Sequence, residues 1–440
     1  MEDSNVKSVA EKPATKSKKE EAAESVSRVD KHIWGIIISL LLVSIVELYS
    51  ASSREVASSA VGVYGPILRH GFMLFIGLLI MITLQRIHYR WFVPFIPILA
   101  VVSAIMMIYV LFFGDIINGA RRSFTLMGVM IQPAEFLKLS SVLVIALVMS
   151  RMQEPRGVKT KGVVISAVSV IIFGGLLFTQ GLTNTILLMA ISLSMMLIGG
   201  VQWKKFFVVL ACYGVVAGGA LWIKLESADD RAAEASAGTI SEATLDRGST
   251  WEARMERYFG DSIPKYEKPI TAENRQEMYS YFAQANGGFF GVFPGNSREA
   301  ARLPLAFSDY IYSIIIEDMG FFGGFCVLML YLWLLFRSGN IAGRCNRAFP
   351  AMVVLGLAVM IVFQALFHMA IVTGVFPVSG QPLPLISKGG SSILVTSIAF
   401  GMMLSISRYG VPAKKPKEKK NKTSVFSTDV DAENPSQLTK

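Results

Sequence analysis

The sequence predicts an all-α, polytopic integral membrane protein with about ten transmembrane helices and a large outer loop between the seventh and the eighth. Three observations carry this expectation. Hydrophobic residues make up 52% of the 440-residue chain and charged residues only 17%, a balance that soluble domains do not show. The apolar residues fall in runs long enough to cross a bilayer. The basic residues behind the formal net charge of +10 cluster in the tails and short loops, which suits membrane topology and argues against a nucleic-acid partner. The three cysteines make neither an even disulfide framework nor a metal-ligand spacing.

Residues 1–30 are rich in Lys, Glu, Ser and Ala and read as a disordered cytoplasmic tail without a cleavable signal pattern. Apolar runs follow at 33–50, 65–85, 91–113, 134–150, 162–180, 184–200, 204–224, 309–336, 350–373 and 389–407. Alternate connections carry the cations: Arg86 and Arg90, then Arg151, Arg156, Lys159 and Lys161, then Lys204 and Lys205, then Arg337, Arg344 and Arg347. They share a side with both basic tails, and that side is expected to be the cytoplasm. The segment 411–440 reads as a second disordered basic tail, close to anionic membrane lipid.

The opposite side holds the informative loops. The first, Gly114 to Gln132, carries Arg121 and Arg122 against the topological bias. Next, in Gln132-Pro-Ala-Glu135-Phe-Leu-Lys138, Pro133 and Glu135 suit the start of a helix. Lys138 is either a buried ion-pair partner of Glu135 or a cation at a cavity rim, and the spacing does not choose. The large outer segment, about 225–308, contains a short amphipathic helix around Thr250–Phe259 and a Gly/Asn/Ser-rich stretch ending at Asn296 and Ser297. That stretch is either a plain turn or a nest of amides for an anion. The last outer loop, Thr373 to Ser392, is dense in Pro and Gly at membrane depth, which is tolerated only against protein or a polar cavity. Lys388 would point a charge there.

The acids where the outer segment meets the eighth span stand out. Asp309, Ser313 and Glu317 share a helical face. Either Ser308 or Asp309 caps the helix and Glu317 meets a cation, or Asp309 is a base at the mouth of a membrane-embedded site. Spacing alone leans to the first.

Over residues 33–408 the motifs resemble one family, the SEDS proteins (shape, elongation, division and sporulation). The matching pieces are Gly119-Ala-x-Arg122, Gln132-Pro-x-Glu135-x-x-Lys138, Trp251-x-x-Arg254, Gly287-Gly-x-x-Gly291 ending in Gly295-Asn-Ser297, Ser308-Asp309-Tyr-Ile with Glu317-x-x-Gly320, and Pro382-Leu-Pro-Leu-Ile-Ser-x-Gly-Gly-Ser391. The resemblance implies a peptidoglycan glycosyltransferase, a hexosyltransferase that polymerises lipid II at the outer face of the cytoplasmic (inner) membrane, with both termini cytoplasmic. It places the catalytic base on Asp309, with Arg122, Lys138, Glu135, Arg254, Asn296, Ser297, Ser308 and Ser391 toward substrate, and Glu317 and Gln132 as structural supports; from their own positions, Lys388 is expected toward substrate and His368 as a structural support. It implies no certain cofactor, although a divalent cation (magnesium or manganese) could share the neutralisation of the diphosphate. The implied partners are lipid II, a class B penicillin-binding protein transpeptidase and other divisome or elongasome proteins.

The chain departs from the family pattern at Ser123, Gly181, His368 and Lys388. His368 is expected to make a helix–helix hydrogen bond. The long charged tails lean toward a division-type, septal role over an elongation-type one. A flippase for the same lipid is the competing class.

Overall fold

The computed structural model describes residues 29–51, 64–117, 120–126, 129–155, 157–236, 267, 269–271, 274–303 and 306–411. Both tails, the Thr250–Phe259 helix and Arg254 therefore lie outside the described residues. The helices are α1 (Lys31–Ala51), α2 (Tyr64–Leu84), α3 (Phe95–Phe113), α4 (Pro133–Arg151), α5 (Thr160–Phe178), α6 (Leu182–Ile198), α7 (Trp203–Ser236), α8 (Arg275–Gly287), α9 (Ile311–Ala342), α10 (Ala348–Val372) and α11 (Gly390–Tyr409). Among the described residues eight are long and apolar enough to cross a membrane, and Leu68–Leu84 and Leu182–Ile198 are shorter apolar helices. The ten expected spans are thus matched, and the protein is a multi-pass membrane protein. Only α8, in the outer segment, falls outside that set.

α4, α10 and α11 form the interior. Their sides are buried nearly all round, whereas α3 and α7 expose large apolar side chains such as Phe112, Val215 and Trp222. A helix that is apolar on every side is stable in lipid, so exposure of this kind marks the bundle periphery. The start of α1 and the ends of α9 and α11 share one face. Asp30, just before α1, receives Arg337 Nη2 from the end of α9 at 2.6 Å, and its amide meets Ser407 near the end of α11.

At the opposite face, the first outer loop folds into a small antiparallel sheet: β1 (Asp115–Ile117), β2 (Ala120–Leu126) and β3 (Val129–Ile131), with β2 in the middle. The pairing steps from Ser123↔Asp115 to Arg121↔Ile116. Arg122 is therefore the unopposed residue of a bulge, a device that redirects a side chain. The sequence signalled only a loop here.

The Gly-rich stretch after α8 is a packing element, which corrects the anion-nest alternative. α9 is interrupted at Gly320, where φ is 72°, and this stretch fills the gap. Val292 and Phe293 amides donate to Glu317 O and Asp318 O, while Phe321 and Phe322 amides donate to Gly288 O and Phe289 O. The carbonyls and amides freed by the break are thus satisfied inside the protein, as membrane depth demands. A Cβ on Gly291 would overlap Asp318 O, and one on Gly320 would overlap Phe289 O, so side chains are excluded at this crossing.

Candidate active site

Asp309 sits in the turn just before α9. It is half-buried in the wall of a cavity of about 490 Å³. Arg122 enters from the β2 bulge, and the last outer loop closes the third side. Gly380 of that loop lies against both: a Cβ there would stand 2.9 Å from Asp309 Oδ2 and 3.7 Å from Arg122 Nη1. Removal from water pushes the Asp309 carboxyl above its ordinary value, and the Arg122 charge and a hydrogen bond from Ser308 pull the other way. The result is a carboxylate that is more basic than usual yet still next to a cation, a balance suited to accepting a proton.

The last outer loop is anchored at several points. Tyr331 donates to Pro384 O at 2.6 Å, Ser44 to Ile386 O at 3.0 Å, and Ser387 to Ser308 O at 2.7 Å. Leu385 holds a φ of 67°, and its side chain is buried. A bulky residue in the left-handed region persists only where its surroundings over-determine it. Lys388 lines the cavity with its ammonium 4.6 Å from the centre of the Phe307 ring. Ser308, Ser391, Gln132 and Glu135 line it as well.

Other expected site residues lie elsewhere. Lys138 is behind the wall: its ammonium bonds Glu135 at 2.8 Å and its side chain is 1% exposed. The ion-pair alternative therefore holds, and the cavity-rim cation does not. Gln364 of α10 steadies the same carboxylate at 3.3 Å. Asn296 donates to Val292 O, and Ser297 donates to Glu317. Both belong to the junction at the α9 break and not to the cavity lining. Among the described residues Glu317 meets no cation; it accepts from Ser297 and from the amides of Arg298 (3.1 Å) and Glu299 (3.3 Å). His368 bonds the backbone carbonyl of Gln381 at 2.6 Å, so its partner is the loop and not a neighbouring helix.

The structure adds lining residues that sequence reasoning missed: Arg69 and His70 from α2, Gln180 and Asn184 at the α5–α6 turn, and Gln381. No spacing marked them. Arg69 and His70 reach the cavity because α2 packs along α11, where Gly77 faces Ser397, and Gln381 of the last outer loop meets Asn184 through a 3.0 Å hydrogen bond.

The fold and site define a class first: a helical membrane protein with an acid–arginine cavity at the face opposite the described chain ends. A family model described as "Cell cycle protein" (FTSW_RODA_SPOVE) matches residues 30–411. The chain belongs to this family, the SEDS proteins, and with it to the peptidoglycan glycosyltransferases. It is 28% identical over 380 residues to the probable peptidoglycan glycosyltransferase FtsW of Trichlorobacter lovleyi, covering 84% of this chain and 91% of that one. It is 26% identical over 379 residues to the peptidoglycan glycosyltransferase MrdB of Escherichia coli, with 84% and 91% covered. Among solved structures, it resembles the rod shape determining protein RodA of Thermus thermophilus, with a TM-score of 0.57, 22% identity, and 86% and 96% covered. A structure described as "Structural coordination of polymerization and crosslinking by a peptidoglycan synthase complex" aligns with a TM-score of 0.62 at 22% identity, covering 86% and 97%.

Proposed function

We propose that the protein polymerises lipid II into glycan strands at the outer face of the cytoplasmic membrane, with Asp309 as general base. The observation that carries this reading is the Asp309–Arg122 pair, a carboxylate of raised basicity beside a fixed cation in one cavity. A sugar hydroxyl attacking an anomeric carbon must lose a proton as the bond forms, and the raised basicity of the cavity-facing Asp309 supports it as the acceptor. The departing diphosphate gains negative charge, and Arg122 and Lys388 supply the opposing charge without reorganisation. A single displacement of this kind inverts the anomeric centre and needs no covalent sugar–enzyme intermediate.

A divalent cation, magnesium or manganese, finds little support in the side chains. Among the described residues, no group of three or more His, Cys, Asp or Glu is placed to hold a metal.

Both termini are assigned to the cytoplasm on the distribution of basic loops. The long tails support a septal role in division, with an elongation role as the alternative. A class B penicillin-binding protein is the proposed partner, in keeping with the synthase complex that the chain resembles in fold.

The test is a polymerisation assay on purified protein with lipid II, with and without the cognate transpeptidase. Wild type is expected to make long glycan and Asp309→Asn none. Wild type that moves the lipid between leaflets of a liposome yet makes no polymer would establish the flippase instead.

A further inference from the structure

Resting on the polymerase reading, we propose that the cavity wall holds a glycan-recognition subsite. In it, His70 Nδ1 and Gln381 Oε1 accept hydrogen bonds from hydroxyl or amide N–H groups of the substrate sugar. Buried polar atoms rarely go without a partner, and each exception asks for an explanation. Among the described residues, five such atoms belong to the lining of one cavity. His70 Nδ1, Ser123 Oγ, Gln180 Nε2, Gln381 Oε1 and Ser392 Oγ all lack a hydrogen bond, and all belong to residues that line this cavity.

For two of these atoms the polarity is set by what lies behind them. Ser44 on α1 spends its single hydroxyl proton on Ile386 O at 3.0 Å. Toward His70 Nε2, 2.8 Å away, it can only accept, so Nε2 carries the ring hydrogen. Nδ1 of the neutral ring is then a lone pair. Gln381 Nε2 donates to Asn184 Oδ1 at 3.0 Å, which leaves its carbonyl oxygen as the orphan. His70 comes from α2 and Gln381 from the last outer loop, so the two acceptors stand on separate elements. The two residues are 2% and 4% exposed.

A fixed lone pair repels a phosphate oxygen and favours an O–H or N–H donor. Arg122 and Lys388 have the reverse preference. The cavity thus sorts the groups of a sugar diphosphate, phosphates to the cations and sugar donors to the acceptors. Because both acceptors are sheltered, water competes little for bonds made to them.

The test measures binding of two labelled probes to the full-length protein in detergent: undecaprenyl diphosphate bearing the disaccharide, and undecaprenyl diphosphate alone. His70→Leu and Gln381→Leu are each expected to weaken binding of the sugar-bearing probe about tenfold, with binding of the sugar-free probe unchanged. His70→Asn, which returns an acceptor near the Nδ1 position, is expected to recover to within about threefold of wild type. Equal weakening on both probes, or wild-type binding of the sugar-bearing probe by both leucine variants, would overturn the subsite. Binding is read apart from turnover. A wild type that binds but makes no polymer would therefore remove the polymerase reading while the probe comparison still decides this one.

Discussion

Asp309 and Glu317 lie close in sequence, at the entry to α9 and just before its break, yet their surroundings are opposite. Glu317 is fully buried and its oxygens are taken by a hydroxyl and two backbone amides. Asp309 is half-buried and faces a cavity whose lining includes buried polar atoms of His70, Ser123, Gln180, Gln381 and Ser392 that lack a hydrogen bond among the described residues. A satisfied buried carboxylate holds a fold together, because every group that it serves would be orphaned without it. An acid on an unsatisfied wall is held ready for something that arrives. The same residue chemistry thus serves structure at one site and reaction at the other, and the partners decide which.

Mutations can separate the two roles. Asp309→Asn should lower the polymerisation rate by about 10²–10⁴-fold, the usual worth of a general base, with the thermal midpoint in detergent little changed. Glu317→Ala should do the reverse. It strands two amides and a hydroxyl at the α9 break, costing about 2–4 kcal/mol, seen as a lowered midpoint and poor yield. A stable but inactive Glu317→Ala protein would break the contrast.

A subtler effect concerns pH. The base works as a carboxylate, so activity should rise as pH climbs through the raised Asp309 value. Arg122 pulls that value down. Arg122→Gln should therefore move the acid limb of the log kcat/KM profile to higher pH, besides lowering its plateau; an unmoved limb would uncouple the pair.

The smallest effect is expected at Glu47 on α1, fully buried with both carboxylate oxygens unpartnered among the described residues. Glu47→Gln removes a potential buried charge while keeping the shape, so the midpoint should hold or rise. A fall would show that Glu47 has a stabilising partner.

Much of this architecture was legible from residue order. Apolar run lengths placed the ten spans, and loop cations indicated their common face. Asp309 and Arg122 stood out because charge at a lipid border is costly and against the topological bias. Lys138 was not decidable, because one spacing serves both an ion pair and a rim cation; only the packing of Gln364 and Glu135 around it chose. The Gly-Gly-x-x-Gly stretch read as a turn or a nest, since nothing local announces that it will mend a helix broken at Gly320.

Hydrophobic run length, charge bias and glycine content are properties of neighbouring residues, and these settled that the chain crosses a membrane and roughly where. The identity of the cavity wall is a property of residues distant in sequence. His70, Gln180 and Gln381 acquire meaning only when α2, the α5–α6 turn and the last outer loop meet. Whether a buried polar atom has a partner depends on what packs against it from elsewhere, and that only the tertiary structure decides.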